Sequence, residues 1–153
     1  MENKKLAPNF WFKEFMEGTA LPIKAIRMNY EDFNESKMPE LIKLAESLQF
    51  IRDCTKEKFG DKFKGFTITA GLRVKRWELE RGRSGKSQHV NYNAADIQPI
   101  CAVDDYMEIF NWIFETFQET WEGGFAKKEP NLRAGKKGFI HIDNRGYKAR
   151  WTY

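Results

Sequence analysis

Apolar residues recur at every third or fourth position between Pro39 and Gly60, where Leu41, Leu44, Ala45, Leu48 and Ile51 fall on one side of a helix. Proline in the first turn and glycine just past the last match the usual start and stop of such an element. A second stripe, Val103, Tyr106, Met107, Phe110, Ile113, Phe114, Phe117 and Trp121, predicts a long helix that ends near Gly123-Gly124. Both stripes read as core. Phe10, Phe12, Phe15 and Met16 suggest a shorter helix capped by Asn9 and stopped by Gly18, whereas Leu21 to Ser36 shows no clear period and reads as irregular.

Strand-like alternation appears in Phe66-Thr67-Ile68-Thr69-Ala70, broken by Gly71, and again in Ala95 to Pro99. Between them, the charged stretch from Trp77 to Lys86 predicts a short helix and then a loop. After the second long helix the chain reads as a basic loop up to Phe139-Ile140-His141-Ile142-Asp143, which alternates once more. A period of two puts Ile140 and Ile142 on one face, expected to point inward, and His141 with Asp143 on the other, expected to line a cleft. The elements together predict an α+β fold, with a small, mainly antiparallel sheet flanked by helices.

At 153 residues and 41% hydrophobic content, the chain suits one core and is short for two, so a single domain over residues 1–153 is expected. The formal charge of +4 is scattered, which fits a solvated surface or attraction to an anionic polymer. Cys54 and Cys101 lie far apart with no C-x-x-C spacing and are expected to be free thiols. Aromatic residues are frequent, but most fall on the helical stripes, where packing accounts for them. Met1 leads into Glu2-Asn3-Lys4-Lys5 with no apolar run of signal or membrane-spanning length. Synthesis in the cytoplasm without membrane insertion is therefore expected.

The only two histidines, His89 and His141, together with Asp96, are the candidate chemistry. His89 and Asp96 stand seven positions apart, and His141 sits on the last strand. Three nitrogen and oxygen ligands leave a fourth tetrahedral position for water, the arrangement of a hydrolytic zinc site. Spacing alone does not establish it, because two histidines in an ordinary domain are more often surface or satisfied core residues.

Neighbouring motifs add to this. Ser87-x-His89-x-x-Tyr92-x-Ala94-x-Asp96 follows Ile68-Thr69-Ala70-Gly71-Leu72-Arg73 and precedes Phe139-Ile140-His141-Ile142-Asp143, with Ala149-Arg150-Trp151 near the end. In that order they resemble the zinc D-alanyl-D-alanine carboxypeptidases, and more narrowly the small peptidases of this type often encoded by phages and prophages. The usual family pattern is S-x-H-x-x-G-x-A-x-D, an upstream S-G-Y-R and a late H-x-D strand, and the resemblance covers about Phe10 to Trp151. It implies a Hedgehog/DD-peptidase fold and Zn²⁺ held by His89, Asp96 and His141. It also implies hydrolysis beside a D-amino acid in peptidoglycan stem peptides, by a carboxypeptidase or an endopeptidase acting on the wall after release from the cell. A monomer is expected.

By the same resemblance, Arg73 holds a substrate carboxylate, while Ser87 touches substrate, positions His89 or simply shapes its loop. Asp143 is either the general base or a carboxylate that orients His141, and the first role is favoured because Gly138 stands where some branches carry glutamate. Glu122 and Glu129 are outside candidates for the base. Tyr92 replaces the family's usual glycine; if that position needs positive φ, the loop is expected to take another course. Two rivals remain: a metal-binding relative without turnover, serving as a wall-binding or virion module, and a nucleic-acid binder. The second rests on basic charge alone, so no nucleic-acid partner is expected.

Overall fold

The two apolar stripes become the two long helices in a computed structural model that describes residues 1–153. Helices α1 (Phe12–Met16), α2 (Ile23–Glu31), α3 (Met38–Phe59), α4 (Lys75–Glu80) and α5 (Val103–Phe117) alternate with strands β1 (Lys5–Ala7), β2 (Phe10–Trp11), β3 (Gly65–Ala70), β4 (Ala94–Ile100), β5 (Gly124–Lys128), β6 (Phe139–Asp143) and β7 (Ala149–Thr152). In α3, Leu41, Leu44, Ala45, Leu48 and Ile51 are fully buried. In α5 the buried side carries Tyr106, Ile109, Phe110, Ile113 and Phe117. They meet Phe125, Ile140 and Ile142 from the sheet in one continuous core.

The fold is α+β with two sheets. β1 and β2 form a small antiparallel pair, and the other strands form a five-stranded mixed sheet in the order β3-β4-β6-β5-β7. Pairing is antiparallel from β3 through β5, and β7 lies parallel to β5. β4 and β6 are thus central neighbours, and their register sets Asp96 opposite His141 and Ala94 opposite Asp143. Two candidate ligands separated by 45 residues are brought together by a single cross-strand pair.

Several expectations are corrected. Asn9 caps no helix: its backbone N–H donates to Gln49 Oε1 and its Oδ1 accepts from Gln49 Nε2, while Trp11 takes the N-cap position of α1. The stretch read as irregular contains α2, whose stripe is masked because Ile23 is 76% exposed while the polar Asn29 is fully buried. Trp121 lies just past the turn that follows α5, and its indole N–H donates to the Asp143 carbonyl at 3.0 Å. The basic loop before Phe139 contains β5, which pairs with both β6 and β7. No helix is long and apolar enough to cross a membrane.

Asn29 anchors the turn after β3. Its amide donates to the Met16 carbonyl at 2.8 Å and the Leu72 carbonyl at 2.9 Å, and its oxygen accepts from the Val74 N–H. Leu72 N–H donates to the Phe15 carbonyl at 2.8 Å. This turn, which carries Arg73, is therefore tied to α1 and α2 by buried hydrogen bonds, each holding a group that would be costly to leave unpaired.

Candidate metal centre

His89, Asp96 and His141 converge, each 5% exposed or less, with ligand atoms within 4.8 Å of one another. His141 Nδ1 lies 2.9 Å from Asp96 Oδ1, and His89 Nε2 lies 3.4 Å from the same oxygen. Donors around a tetrahedral ion at about 2.1 Å are about 3.4 Å apart, so the His89–Asp96 spacing fits a cation between them, while the His141–Asp96 contact is at hydrogen-bond distance.

The tautomers strengthen the case. His89 Nδ1 stands 2.7 Å from the Gly71 carbonyl, so that nitrogen carries a proton, and in the neutral ring Nε2 keeps its lone pair. This lone pair is buried, has no hydrogen-bond partner and faces a carboxylate oxygen. Two acceptors pointed at each other in a dry site repel unless a cation lies between them, either a proton that makes His89 an imidazolium or a metal ion. On the other ring, His141 Nε2 is 2.7 Å from Asp143 Oδ2, which aims Nδ1 at Asp96. A carboxylate behind a ligand imidazole is the usual device for fixing ring orientation and raising ligand basicity.

Asp143 is fully buried and saturated. Its Oδ1 accepts from the Gly124 N–H at 2.7 Å and from the Arg145 N–H at 3.1 Å, and the Arg145 guanidinium grips both oxygens, with its Nη2 2.7 Å from Oδ2. Burial alone would raise its pKa, but the His141 contact, Arg145 and the Gly124 N–H outweigh burial and hold it below the ordinary carboxylate range. The geometry therefore favours the orienting role for Asp143 over the general base, since both its oxygens are engaged and it does not border the cleft. Burial would likewise raise Asp96, yet in the metal-free state the charge of a protonated His89 ring and the hydrogen bond from His141 lower it.

Burial disfavours the charged His141 ring, but its hydrogen bonds to Asp143 and Asp96 raise its pKa above the ordinary 6.5. A metal taking Nδ1 must displace that proton. Metal affinity should consequently rise by about tenfold per pH unit up to the raised pKa and flatten above it. Competition with a colorimetric chelator between about pH 6 and 8 would test this; a flat profile there would exclude His141 as a ligand.

A cleft of about 440 Å³ lies above the centre, a size suited to a small ligand. Asp96 is the member of the cluster that borders it, beside Thr69, Arg73, Trp77, Phe139 and Tyr153. The face carrying His141 and Asp143 is thus not an open wall: the Trp151 ring lies 5.0 Å from His141, and Arg145 lies over Trp151. Trp151 both joins β7 and covers the site.

Ser87 does not line the cleft. Its hydroxyl donates to Glu78 Oε1 at 2.7 Å, so the geometry supports loop positioning over substrate contact. Arg73 does line it, with its backbone N–H toward the His89 carbonyl. Glu129 pairs with Lys127 at 3.0 Å, and Glu122 borders a different groove with Ser47, Phe50 and Asn144. Neither reaches the centre.

The two departures from the family pattern have local explanations. Tyr92 is the one non-glycine residue with positive φ, at 63°, so the tyrosine takes the left-handed backbone instead of diverting the loop. The strain is offset by burial, by an edge contact with Phe33 at 5.5 Å and by the Asn34 N–H, which donates to the phenol oxygen at 2.8 Å. Gly138 also has positive φ, 62°, and a Cβ there would lie 2.2 Å from the Lys128 carbonyl oxygen. No glutamate fits at that position on this backbone.

Sequence reasoning missed Glu78 and Arg145. Glu78 is 1% exposed and joins Ser87, Arg83 and Arg73; nothing in its charged, helical context distinguishes it. Arg145 had a signal, lying two residues beyond Asp143 on the last motif. Comparisons with models of protein families, with curated proteins and with solved structures return no match, so the reading of this centre rests on its own residues and geometry.

Proposed function

We propose that the chain is a zinc peptidase of the Hedgehog/DD-peptidase type that hydrolyses D-amino-acid-containing stem peptides of peptidoglycan. The observation that carries this reading is the buried His89 Nε2 lone pair, aimed at Asp96 and His141 beneath a cleft that holds an arginine. The motif order from Arg73 to Trp151 supports the family and the substrate class. Two imidazoles and one carboxylate form a donor set that suits zinc, although imidazole also serves other transition metals.

When bound, zinc would polarise a scissile carbonyl and allow water to act as a nucleophile near neutral pH. His89, Asp96 and His141 would hold it, and Asp143 with Arg145 would keep the His141 ring in the ligating orientation. Arg73 would place the substrate by its carboxylate through a planar, two-point contact. Tyr153 borders the cleft with a phenol whose pKa is raised by burial, so it stays protonated and would donate a hydrogen bond to charge developing on the substrate.

A second reading, metal binding without turnover, is favoured by two observations: Asp143 is saturated and Gly138 excludes a side chain. Zinc-loaded protein incubated with peptidoglycan and with a D-alanyl-D-alanine peptide decides between them by mass spectrometry. New amine and carboxyl ends support the peptidase, while intact substrates with stoichiometric zinc support the second reading. Asp143→Asn is expected to weaken zinc affinity by about 10–100-fold, with any activity restored by excess zinc. A loss of about 10²–10⁴-fold in turnover at full zinc occupancy would return the general-base role to Asp143.

A further inference from the structure

The cleft wall carries four cations, Arg73, Arg81, Arg83 and Lys128, against one bordering carboxylate, Asp96, which belongs to the ligand cluster. Buried Glu78 balances part of this charge from behind: its Oε2 is 3.3 Å from Arg83 and its Oε1 is 3.8 Å from Arg73 Nε. The second distance is too long for a hydrogen bond, and Arg73 Nε is left buried without an acceptor. Arg81 lies over the Trp77 ring at 5.0 Å, and neither it nor Lys128 has an acidic partner, unlike Lys127, which pairs with Glu129. One substrate carboxylate would satisfy Arg73 and leave Arg81 and Lys128 uncompensated.

We infer that the cleft recognises an acidic peptide that brings two carboxylates, one to Arg73 on the floor and a second to the outer group of Arg81, Arg83 and Lys128. This deepens the proposed function and rests on it for the identity of the peptide, but the charge pattern stands on its own residues. Guanidinium forks suit carboxylates in two parallel charge-assisted bonds, and Glu78 holds Arg83 from the protein side so that the fork is oriented before a ligand arrives. The apolar wall of Leu21, Pro22, Phe139 and Tyr153 would take the chain between the two charges. A substrate with one carboxylate would forgo the outer contacts.

The test uses metal-free protein, where no turnover occurs, and four probes in calorimetric titrations: N-acetylglutamate, N-acetylglutamine, inorganic phosphate and a short single-stranded oligonucleotide. The first two have nearly the same shape and differ by one carboxylate. N-acetylglutamate is expected to bind about tenfold more tightly than N-acetylglutamine, and more tightly than phosphate. In the Arg81→Gln/Lys128→Gln protein that advantage should shrink to about twofold or less; both side chains are exposed, so folding should be retained. Equal binding of the two amino-acid derivatives, or phosphate binding as tight as N-acetylglutamate, would overturn the inference. So would a short single-stranded oligonucleotide that binds more tightly than N-acetylglutamate. Discrimination without any later hydrolysis by the zinc-loaded protein would sustain the two-carboxylate site and count against the peptidase reading alone.

Discussion

Equilibrium dialysis of the His141→Ala protein against zinc is expected to show an affinity more than about 100-fold below that of the parent, because partners that merely orient a ligand are worth about 10–100-fold and His141 is a ligand itself. The substitution removes the nitrogen that faces Asp96 and leaves Asp143 and Arg145 paired with each other. The fold should survive, since Ile140 and Ile142 on the other face of β6 keep their packing. His89→Ala is expected to have a similar effect, through loss of the buried Nε2, which has no hydrogen-bond partner. Full zinc retention by both variants would remove the centre from consideration.

The largest effect on stability is expected from a glycine. Gly124 lies across from Asp143 on the neighbouring strand, and a Cβ there would sit 2.1 Å from Asp143 Oδ2 and 2.5 Å from its Cγ. A flexible side chain would swing away, but this carboxylate is held by Arg145, His141 and the Gly124 N–H itself. Gly124→Ala should therefore break a buried charge pair and destabilise the chain by about 3–5 kcal/mol, seen as a lower urea midpoint. Gly135→Ala is the control: it has positive φ, 70°, but meets nothing within 4 Å, and should lose only about 1–2 kcal/mol. If the two variants melt alike, the close packing of Asp143 on β5 does not carry the weight assigned to it. Zinc affinity of the Gly124→Ala protein should fall too, because His141 loses its orienting partner.

The parts of the fold that were legible in the sequence are those where apolar spacing and burial coincide. Leu41 to Ile51 and Tyr106 to Phe117 repeat cleanly because α3 and α5 each bury one continuous side. β3, β4 and β6 were legible through alternation or short apolar runs. α2 was hidden by the exposed Ile23 and the buried Asn29, which give apolar and polar letters to the wrong faces. β5 was hidden because it opens on Gly124, is only five residues long and ends in Lys127-Lys128, so its composition resembles a loop. At the site, the candidate ligands could be named because the chain has only two histidines, but which nitrogen of His141 faces Asp96 depends on Gly124 and Arg145, contacts with no spacing rule. Ser87 was ambiguous for the same reason: its partner Glu78 comes from a helix nine residues earlier and is inconspicuous among other charges.

The buried hydrogen bonds of Asn29 and Phe15 divide the labour along the chain. Every candidate ligand lies at or after residue 89, so a fragment lacking the first 35 residues would contain the whole donor set. That fragment would lack the carbonyl of Phe15 that receives the Leu72 N–H and the amide that ties Leu72 to Val74. The Gly71 carbonyl that fixes the His89 tautomer, and the backbone that presents Arg73, belong to this same turn. The amino-terminal segment thus acts as an internal jig: it supplies no ligand, yet it determines which lone pair His89 offers and where the cleft's innermost cation stands.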